Sequence, residues 1–173
     1  MKIYTKNGDS GFSYDYTGKK INKSENIFII LGKLDEISSY CGYVSILCEK
    51  EEQDFFLEIG KILFKITSYI GGAKNTFQNK EEVLNNKIKE MEEKIDSYNI
   101  NLTNFILPFG EEREVRLHLL RTKVRLLEST IAGIDNYKIF IPFINRLSDY
   151  CFALAIKYAN QTNTLQIISR ETK

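Results

Sequence analysis

The chain has 173 residues, of which 43% are hydrophobic and 27% are charged. This length and composition predict one globular domain with a single hydrophobic core. Its 24 basic and 23 acidic residues give a formal net charge of +1, so no overall positive field exists to attract nucleic acid or an anionic membrane. Any anion-binding site must therefore be local.

The N-terminus and the cysteines suggest a cellular setting. The opening residues, MKIYTKNGDSG, lack the apolar run of a signal peptide, and no stretch approaches the roughly 20 apolar residues of a membrane span. We therefore expect a soluble cytoplasmic protein. Cys41, Cys48 and Cys151 form no C-x-x-C pair and do not cluster with His118, the only histidine, so we interpret them as small buried apolar side chains.

Residues 1–26 are polar and precede the first predicted helix. They contain five lysines and three glycines, Gly8, Gly11 and Gly18. Glycine permits dihedral angles that point several backbone N–H groups inward, so this segment could bind a triphosphate. A flexible solvated tail explains the same composition and is the simpler interpretation. The G-x-x-x-x-G-K-[ST] pattern of a P-loop does not occur.

Apolar residues recur at spacings of three and four in five segments, which predicts an all-α five-helix bundle. The predicted helices cover residues 27–48, 53–71, 80–97, 111–133 and 142–160. Pro142 suits the first turn of the last helix, and Gly71 with Gly72 closes the second. We expect one domain over 1–173, with 1–26 as its N-terminal loop segment.

Residues 105–110, FILPFG, are strongly apolar where a connecting loop is usually polar. The aromatic rings of Phe105 and Phe109 flank a leucine and a proline, which makes the segment stiff. It could plug one end of the bundle, or it could cover a large flat ligand. The residues alone leave both interpretations open.

The fourth predicted helix carries four polar residues on one narrow face. His118, Arg121, Arg125 and Glu128 follow a 3-4-3 spacing, which puts them on one side of a helix that turns about 100° per residue. Two arginines there could bind a triphosphate, whereas a solvated face with a weak Arg–Glu pair explains the same spacing. Asn145 belongs to a polar set, NRLSDY, for which hydrogen bonding between helices is the simpler explanation.

Five motifs follow one another along the chain: TKNGDSG at 5–11, LGKLDEISS at 31–39, FILPFG at 105–110, RTKVRLLE at 121–128 and NRLSD at 145–149. In this order they resemble the motifs of the PduO-type ATP:cob(I)alamin adenosyltransferases. Several dispersed motifs in the family's order are more specific than any one of them. The resemblance implies a five-helix bundle that assembles as a homotrimer, with active sites between neighbouring subunits.

The resemblance also implies a reaction. The 5′-deoxyadenosyl group of ATP would move to the cobalt of a reduced corrinoid, giving adenosylcobalamin and triphosphate, with Mg²⁺ accompanying the nucleotide. A cobalamin reductase and an adenosylcobalamin-dependent acceptor enzyme would be its protein partners. The alternatives are a non-catalytic carrier or regulator that binds ATP or adenosylcobalamin, and a purely structural helical bundle.

Carried over by motif, the resemblance assigns roles to individual residues. Arg125 would help to neutralise the departing triphosphate, and Arg121 would pair with Asp35 across helices. Phe105 would occupy the lower face of the corrin and exclude water from cobalt, so that four-coordinate cobalt(II) is easier to reduce. The implied nucleotide-binding residues are Thr5, Lys6, Gly8, Asp9, Gly11, Lys23, Glu128 and Asn145.

The chain departs from the family pattern at several positions. Leu126 stands where the family usually has a second arginine, Phe109 replaces a glycine and Ser38 replaces an asparagine. The first change removes a positive charge, and the second changes the apolar segment. These departures bear on nucleotide affinity and loop geometry and leave a weakened or specialised enzyme as an alternative, whereas the retained Arg121, Arg125, Glu128, Asp35 and Phe105 favour an active one.

Overall fold

The structure is a computed structural model that describes residues 3–4 and 6–168. In this part of the chain, five α-helices form the predicted bundle. They are α1 (Asn26–Ser45), α2 (Lys50–Ile70), α3 (Lys80–Ser97), α4 (Glu112–Ile131) and α5 (Ile141–Thr162). Each end lies within about three residues of its predicted position, so the apolar periodicity located the helices correctly.

The described residues also form two small antiparallel sheets that the all-α prediction lacked. In the first, β1 (Phe12–Tyr14) pairs with β2 (Lys20–Asn22). In the second, β3 (Phe105–Leu107) pairs with β4 (Gln166–Ile168). Strands of three residues are too short to show apolar alternation in the sequence. The segment FILPFG therefore begins as a strand, where the sequence predicted a loop.

Helix α5 is the core helix of the bundle. Tyr150 is fully buried against Phe55 and Phe56 of α2, with ring centroids 5.0 and 5.8 Å from its own. The helical stretch Asp135–Thr162 is long and apolar enough to cross a membrane by length and composition, yet 61% of its apolar window is buried inside the bundle. The sequence analysis did not single out this stretch, whose apolar character follows from its burial, because a helix enclosed by others is apolar on most sides.

The three cysteines, all of which the structure describes, are buried and form no disulfide. Cys41 lies on α1 and Cys151 on α5, both inside the hydrophobic core. Burial raises the pKa of the Cys41 thiol to about 12, so this side chain is an uncharged thiol. The prediction that the cysteines serve as small apolar core residues is confirmed.

Helices α1 and α4 are antiparallel neighbours. Lys123 Nζ lies 2.5 Å from Glu36 Oε1, and Tyr43 donates its hydroxyl hydrogen to Glu112 Oε1 over 2.8 Å. Residue numbers therefore rise along α1 in the direction in which they fall along α4. It follows that the start of α1 shares one end of the bundle with the end of α4 and the start of α5.

The β1–β2 hairpin lies at that same end. The backbone N–H of Tyr16 donates to the carbonyl of Gly71 over 2.8 Å, which ties the hairpin to the end of α2. Gly72 follows with φ 106, a conformation that favours glycine, and lets the chain turn close beneath Tyr16 and Thr17. The β3–β4 sheet lies at the opposite end, because β3 leads into α4 and β4 follows α5.

Candidate active site

The seam between α4 and α5 carries polar side chains at the end of the bundle that bears the hairpin. Asn145 Nδ2 donates a hydrogen bond to Glu128 Oε1 over 3.0 Å, and both residues are half-buried. The amide holds the carboxylate in place without neutralising its charge. The seam therefore presents an oriented acceptor oxygen at the junction of two helices.

Arg121 and Arg125 lie one turn apart on the face of α4 that borders this seam. Within the described chain neither forms an ion pair, and Arg121 Nε has no hydrogen-bond partner although it is buried. The Arg121 guanidinium lies over the ring of Phe152, 5.5 Å from its centroid. Burial and the nearby charge of Arg125 lower the pKa of Arg121, but a guanidinium stays protonated at neutral pH. The two side chains thus form a local cationic site that suits an anion.

His118 continues the same face but is not an acid or base at neutral pH. It is 6% exposed and packs edge-on against Phe152, with ring centroids 5.9 Å apart. Burial, followed by the charge of Arg121, lowers the pKa of His118 to about 4. The imidazole is therefore neutral at physiological pH, and it packs on the same ring, Phe152, as the arginine beside it.

The glycine-bearing N-terminal segment is folded into successive turns. Asp9 N donates to Lys6 O and Gly11 N to Gly8 O, each over 3.3 Å, and Lys23 N donates to Gly11 O over 2.9 Å. A Cβ atom placed on Gly8 would lie 2.5 Å from Lys23 Nζ, so the ammonium group lies directly against this glycine. The loop thus brings most of the predicted nucleotide-binding residues of the N-terminus together in a folded but exposed segment.

The predicted ion pair between Arg121 and Asp35 is not formed in the single chain. Helix α4 meets α1 through Lys123 and Glu36 instead. Residues 121 and 123 point roughly 200° apart around a helix, so when Lys123 faces α1, Arg121 faces α5. Asp35 is exposed on α1. The pair is therefore absent within one chain, and between two copies it stays a prediction.

Phe105 also lies away from the other predicted site residues. It is 62% exposed on β3, just before the start of α4. Arg125 stands about thirteen residues beyond Glu112, which is roughly 20 Å along the helix axis. Thr5 lies outside the described residues. In one chain Phe105 is therefore separate from the two arginines.

The polar set NRLSDY divides between two neighbours of α5. Asn145 bonds to α4, whereas Arg146 pairs with Glu92 of α3 over 3.0 Å and with Asp149 over 2.7 Å. Sequence reasoning missed Phe152, whose ring supports both the arginine and the histidine of α4. A single aromatic residue in an apolar helix gives no signal that separates such a support from an ordinary core residue.

Comparisons with known proteins all indicate the same family. A model of the cobalamin adenosyltransferases matches residues 3–158. Corrinoid adenosyltransferase MMAB of Bos taurus is 34% identical over 169 residues, which cover 89% of this chain and 70% of that protein. The corrinoid adenosyltransferase of Bacillus subtilis is 30% identical over 167 residues, covering 90% of this chain and 85% of that protein.

A solved structure agrees in fold over almost the whole length. It is a variant PduO-type ATP:corrinoid adenosyltransferase from Lactobacillus reuteri complexed with cobalamin and ATP, and it is 31% identical with a TM-score of 0.83. The match covers 99% of this chain and 98% of that one. The sequence motifs, the five-helix bundle and these relatives together place the chain in the cobalamin adenosyltransferase family, as an enzyme of the corrinoid adenosyltransferase class.

Proposed function

We propose that the enzyme transfers the 5′-deoxyadenosyl group of ATP to the cobalt of a reduced corrinoid. The observation that carries this proposal is the α4–α5 seam, where Arg121 and Arg125 have no ion-pair partner among the described residues. Two adjacent guanidinium groups suit a polyphosphate, because each can bind phosphate oxygens through two parallel hydrogen bonds. Family membership supplies the corrinoid and the class of reaction.

The proposed reaction needs no nucleophile from the protein. Cobalt(I) donates an electron pair to the 5′-carbon of ATP, a cobalt–carbon bond forms, and the bond from that carbon to the triphosphate oxygen breaks with its electrons on the leaving group. The protein's tasks are to align the two substrates and to neutralise the triphosphate. We assign the second task to Arg125 and Lys23, each contributing on the order of 3 kcal/mol to the transition state.

Magnesium is proposed to arrive with the nucleotide. In the part of the chain that the structure describes, no group of three or more His, Cys, Asp or Glu side chains could hold a metal ion alone. Magnesium sites in ATP enzymes commonly use one or two carboxylates together with the phosphate oxygens of the substrate. Glu128 is the carboxylate that lies on the seam beside the two arginines, so it would approach the ion directly or through water.

The site is proposed to form between copies of the chain. A groove of about 720 Å³ runs between α1 and α2, and its lining includes Ser38, Gly42, Leu57 and Phe64. Leu57 is 60% exposed and Phe64 is 71% exposed, which is a substantial apolar surface for a folded chain. Because Asp35 stands one helical turn from Ser38, it borders this groove. A second copy is the occupant that would supply Asp35 with an arginine.

The proposed assembly joins two unequal surfaces. The groove beside Asp35 and the seam that bears Arg121 are different parts of the chain, so a contact between them is head-to-tail. Such contacts can close into a ring, and the family resemblance implies a ring of three. In this arrangement the Arg121–Asp35 pair would form across the interface, and Phe105 of a copy would cover the corrin beside the nucleotide.

The deciding experiment is an adenosylation assay. The protein is incubated anaerobically with ATP, magnesium and chemically reduced cobalamin. The expected products are light-sensitive adenosylcobalamin and triphosphate. ATP binding without product would favour the carrier or regulator instead, and the absence of any nucleotide-dependent rise in melting temperature would favour the structural bundle.

A further inference from the structure

Glu114, in the first turn of α4, is a buried carboxylate whose contacts lie at the opposite end of the α4–α5 seam from Glu128 and Asn145. It is 1% exposed. Its Oε1 accepts a hydrogen bond from Thr162 Oγ1 over 2.7 Å, and its Oε2 accepts from Thr164 Oγ1 over 2.6 Å and from Glu111 N over 2.9 Å. No lysine, arginine or histidine among the described residues pairs with it. The buried charge is therefore held by three neutral donors and by the positive end of the helix dipole.

These donors come from two segments that are distant in sequence. Glu111 directly follows FILPFG, whereas Thr162 ends α5 and Thr164 stands two residues before β4. The Glu114 carboxylate thus connects the residues that follow β3 to the residues that precede β4. The tie is close, because a Cβ atom on Gly110, whose φ is 146, would collide with the Glu114 carboxylate.

The sheet that this carboxylate anchors is small. Three residue pairs hold it, from Phe105 with Ile168 to Leu107 with Gln166. A two-stranded sheet of this size is at best marginally stable by itself. Its persistence therefore depends on where its two strands are attached, and Glu114 is a point at which both are attached to the bundle.

We propose that Glu114 is a positioning residue, which latches the β3–β4 sheet to the bundle and so sets the place of Phe105 for the corrinoid. The expected effect of this latch on adenosyl transfer rests on the proposed function. The latch itself is a property of the fold. Loss of one donor should let β4 separate from β3, and the phenylalanine would then occupy many positions instead of one.

Thr164→Val is the sharpest variant, because it removes one hydroxyl and leaves the Glu111–Glu114 capping box intact. Thr164→Ser restores the hydroxyl and is the matched control. We expect amide hydrogen exchange of Phe105–Leu107 to accelerate about tenfold in the valine variant, the effect of losing one charge-assisted hydrogen bond. The serine variant should exchange like the wild type.

The same pair of variants tests the consequence for the enzyme. Thr164→Val should raise the KM for the corrinoid about tenfold and leave the KM for ATP within about twofold, with recovery in Thr164→Ser. Unchanged exchange would overturn the latch, and faster exchange with an unchanged corrinoid KM would overturn its positioning role. If wild-type protein transfers no adenosyl group, the proposed function fails, whereas the exchange measurement still decides whether the latch exists.

Discussion

Asn145 Nδ2 lies 3.0 Å from Glu128 Oε1 and joins the start of α5 to the last turns of α4. An amide that donates to a carboxylate orients it and preserves its negative charge. A carboxylate held this way beside two arginines can accept a hydrogen bond from a ligand or a hydrated cation while the arginines bind phosphate. The Asn145–Glu128 pair can therefore contact a ligand as well as join the two helices.

Asn145→Ala should weaken ATP binding more than it weakens the fold. Loss of one half-buried hydrogen bond costs about 1 kcal/mol, which lowers the melting temperature of a domain this size by roughly 2–4 °C. Because Glu128 then loses its orientation, we expect the KM for ATP to rise about tenfold. Asn85→Ala, on the exposed face of α3, removes the same amide and should leave the KM unchanged. Equal KM values in both variants would contradict a ligand role for Asn145.

Arg125→Ala should lower turnover far more than stability. The side chain is exposed and has no ion pair within the described residues, so the free energy of unfolding should change by less than about 0.5 kcal/mol. Loss of its charge at the departing triphosphate should lower kcat about a hundredfold, or on the order of 3 kcal/mol. Urea unfolding and steady-state kinetics measure the two effects on one preparation.

The matched control for Arg125 is Arg116→Ala on the same helix. Arg116 lies 3.5 Å from Glu112 and over the ring of Tyr43, on the side of α4 that faces α1. Its loss should leave kcat within about twofold of the wild type. A similar fall in kcat for both arginine variants would mean that α4 is disturbed as a whole, and would remove the special role of the seam.

Phe105→Ala should impair conversion that starts from cobalt(II) and spare conversion of preformed cobalt(I). If the ring excludes water from the lower face of the corrin, its loss favours five-coordinate cobalt(II), which is harder to reduce. Phe109→Ala is the control, since both rings are 62% exposed in the same segment. Parallel assays with a mild reductant and with chemically prepared cobalt(I) separate the two steps. Equal impairment from both starting states would count against a lower-face role.

The sequence located the helices well because each buries an apolar stripe at regular spacing, as α4 does with Leu117, Leu120 and Val124. It also placed Arg121 and Arg125 on one face correctly. It could not say which neighbour that face meets, and within one chain Arg121 meets Phe152 of α5 and not Asp35. Spacing within a helix specifies direction around its axis, whereas the neighbour in that direction depends on how the other helices pack.

The pairing of β3 with β4 could not be predicted from the sequence, for a different reason. Strands β3 and β4 have three residues each and lie about sixty residues apart, so neither length nor local pattern reveals their pairing. The anchoring role of Glu114 was equally hidden, because a glutamate in the first turn of a helix is usually a simple capping residue. Glu114 differs from a simple capping residue only in that Thr162 and Thr164 also donate hydrogen bonds to it.

His118 should make the fold less stable below neutral pH. Its pKa is about 4 in the folded chain against 6.5 for an unperturbed histidine, so the unfolded state binds the proton more readily. Stability contributed by the neutral imidazole is therefore present above pH 6.5 and is lost as pH falls towards 4. Between pH 7 and pH 5 the loss should be about 2 kcal/mol.

Urea unfolding at both pH values measures this difference in the wild type and in His118→Gln. Because His118 is the only histidine of the chain, its replacement should abolish most of the pH dependence in this interval. The two imidazole C–H resonances of His118 in proton NMR should also stay at the neutral position down to about pH 5. An unchanged pH dependence in the glutamine variant would assign the effect to carboxylates instead.

Mixing two inactive variants should restore activity if each active site takes its N-terminal loop from one copy and its seam from the next. Lys23→Ala damages the loop beside Gly8, and Arg125→Ala damages the seam. When the two proteins are unfolded together and refolded as mixed rings, random assembly pairs an intact loop with an intact seam at roughly a quarter of the sites. Activity should rise to about that fraction of the wild type, because one trimer can hold both intact halves at one interface.

The control mixture is Arg121→Ala with Arg125→Ala, which damages the same seam in every copy. No interface in that mixture can combine an intact seam with a loop, so refolding together should restore nothing. Light scattering before and after mixing checks that rings of equal size are compared. If the loop and seam variants also fail to complement each other, loop and seam must act within one copy.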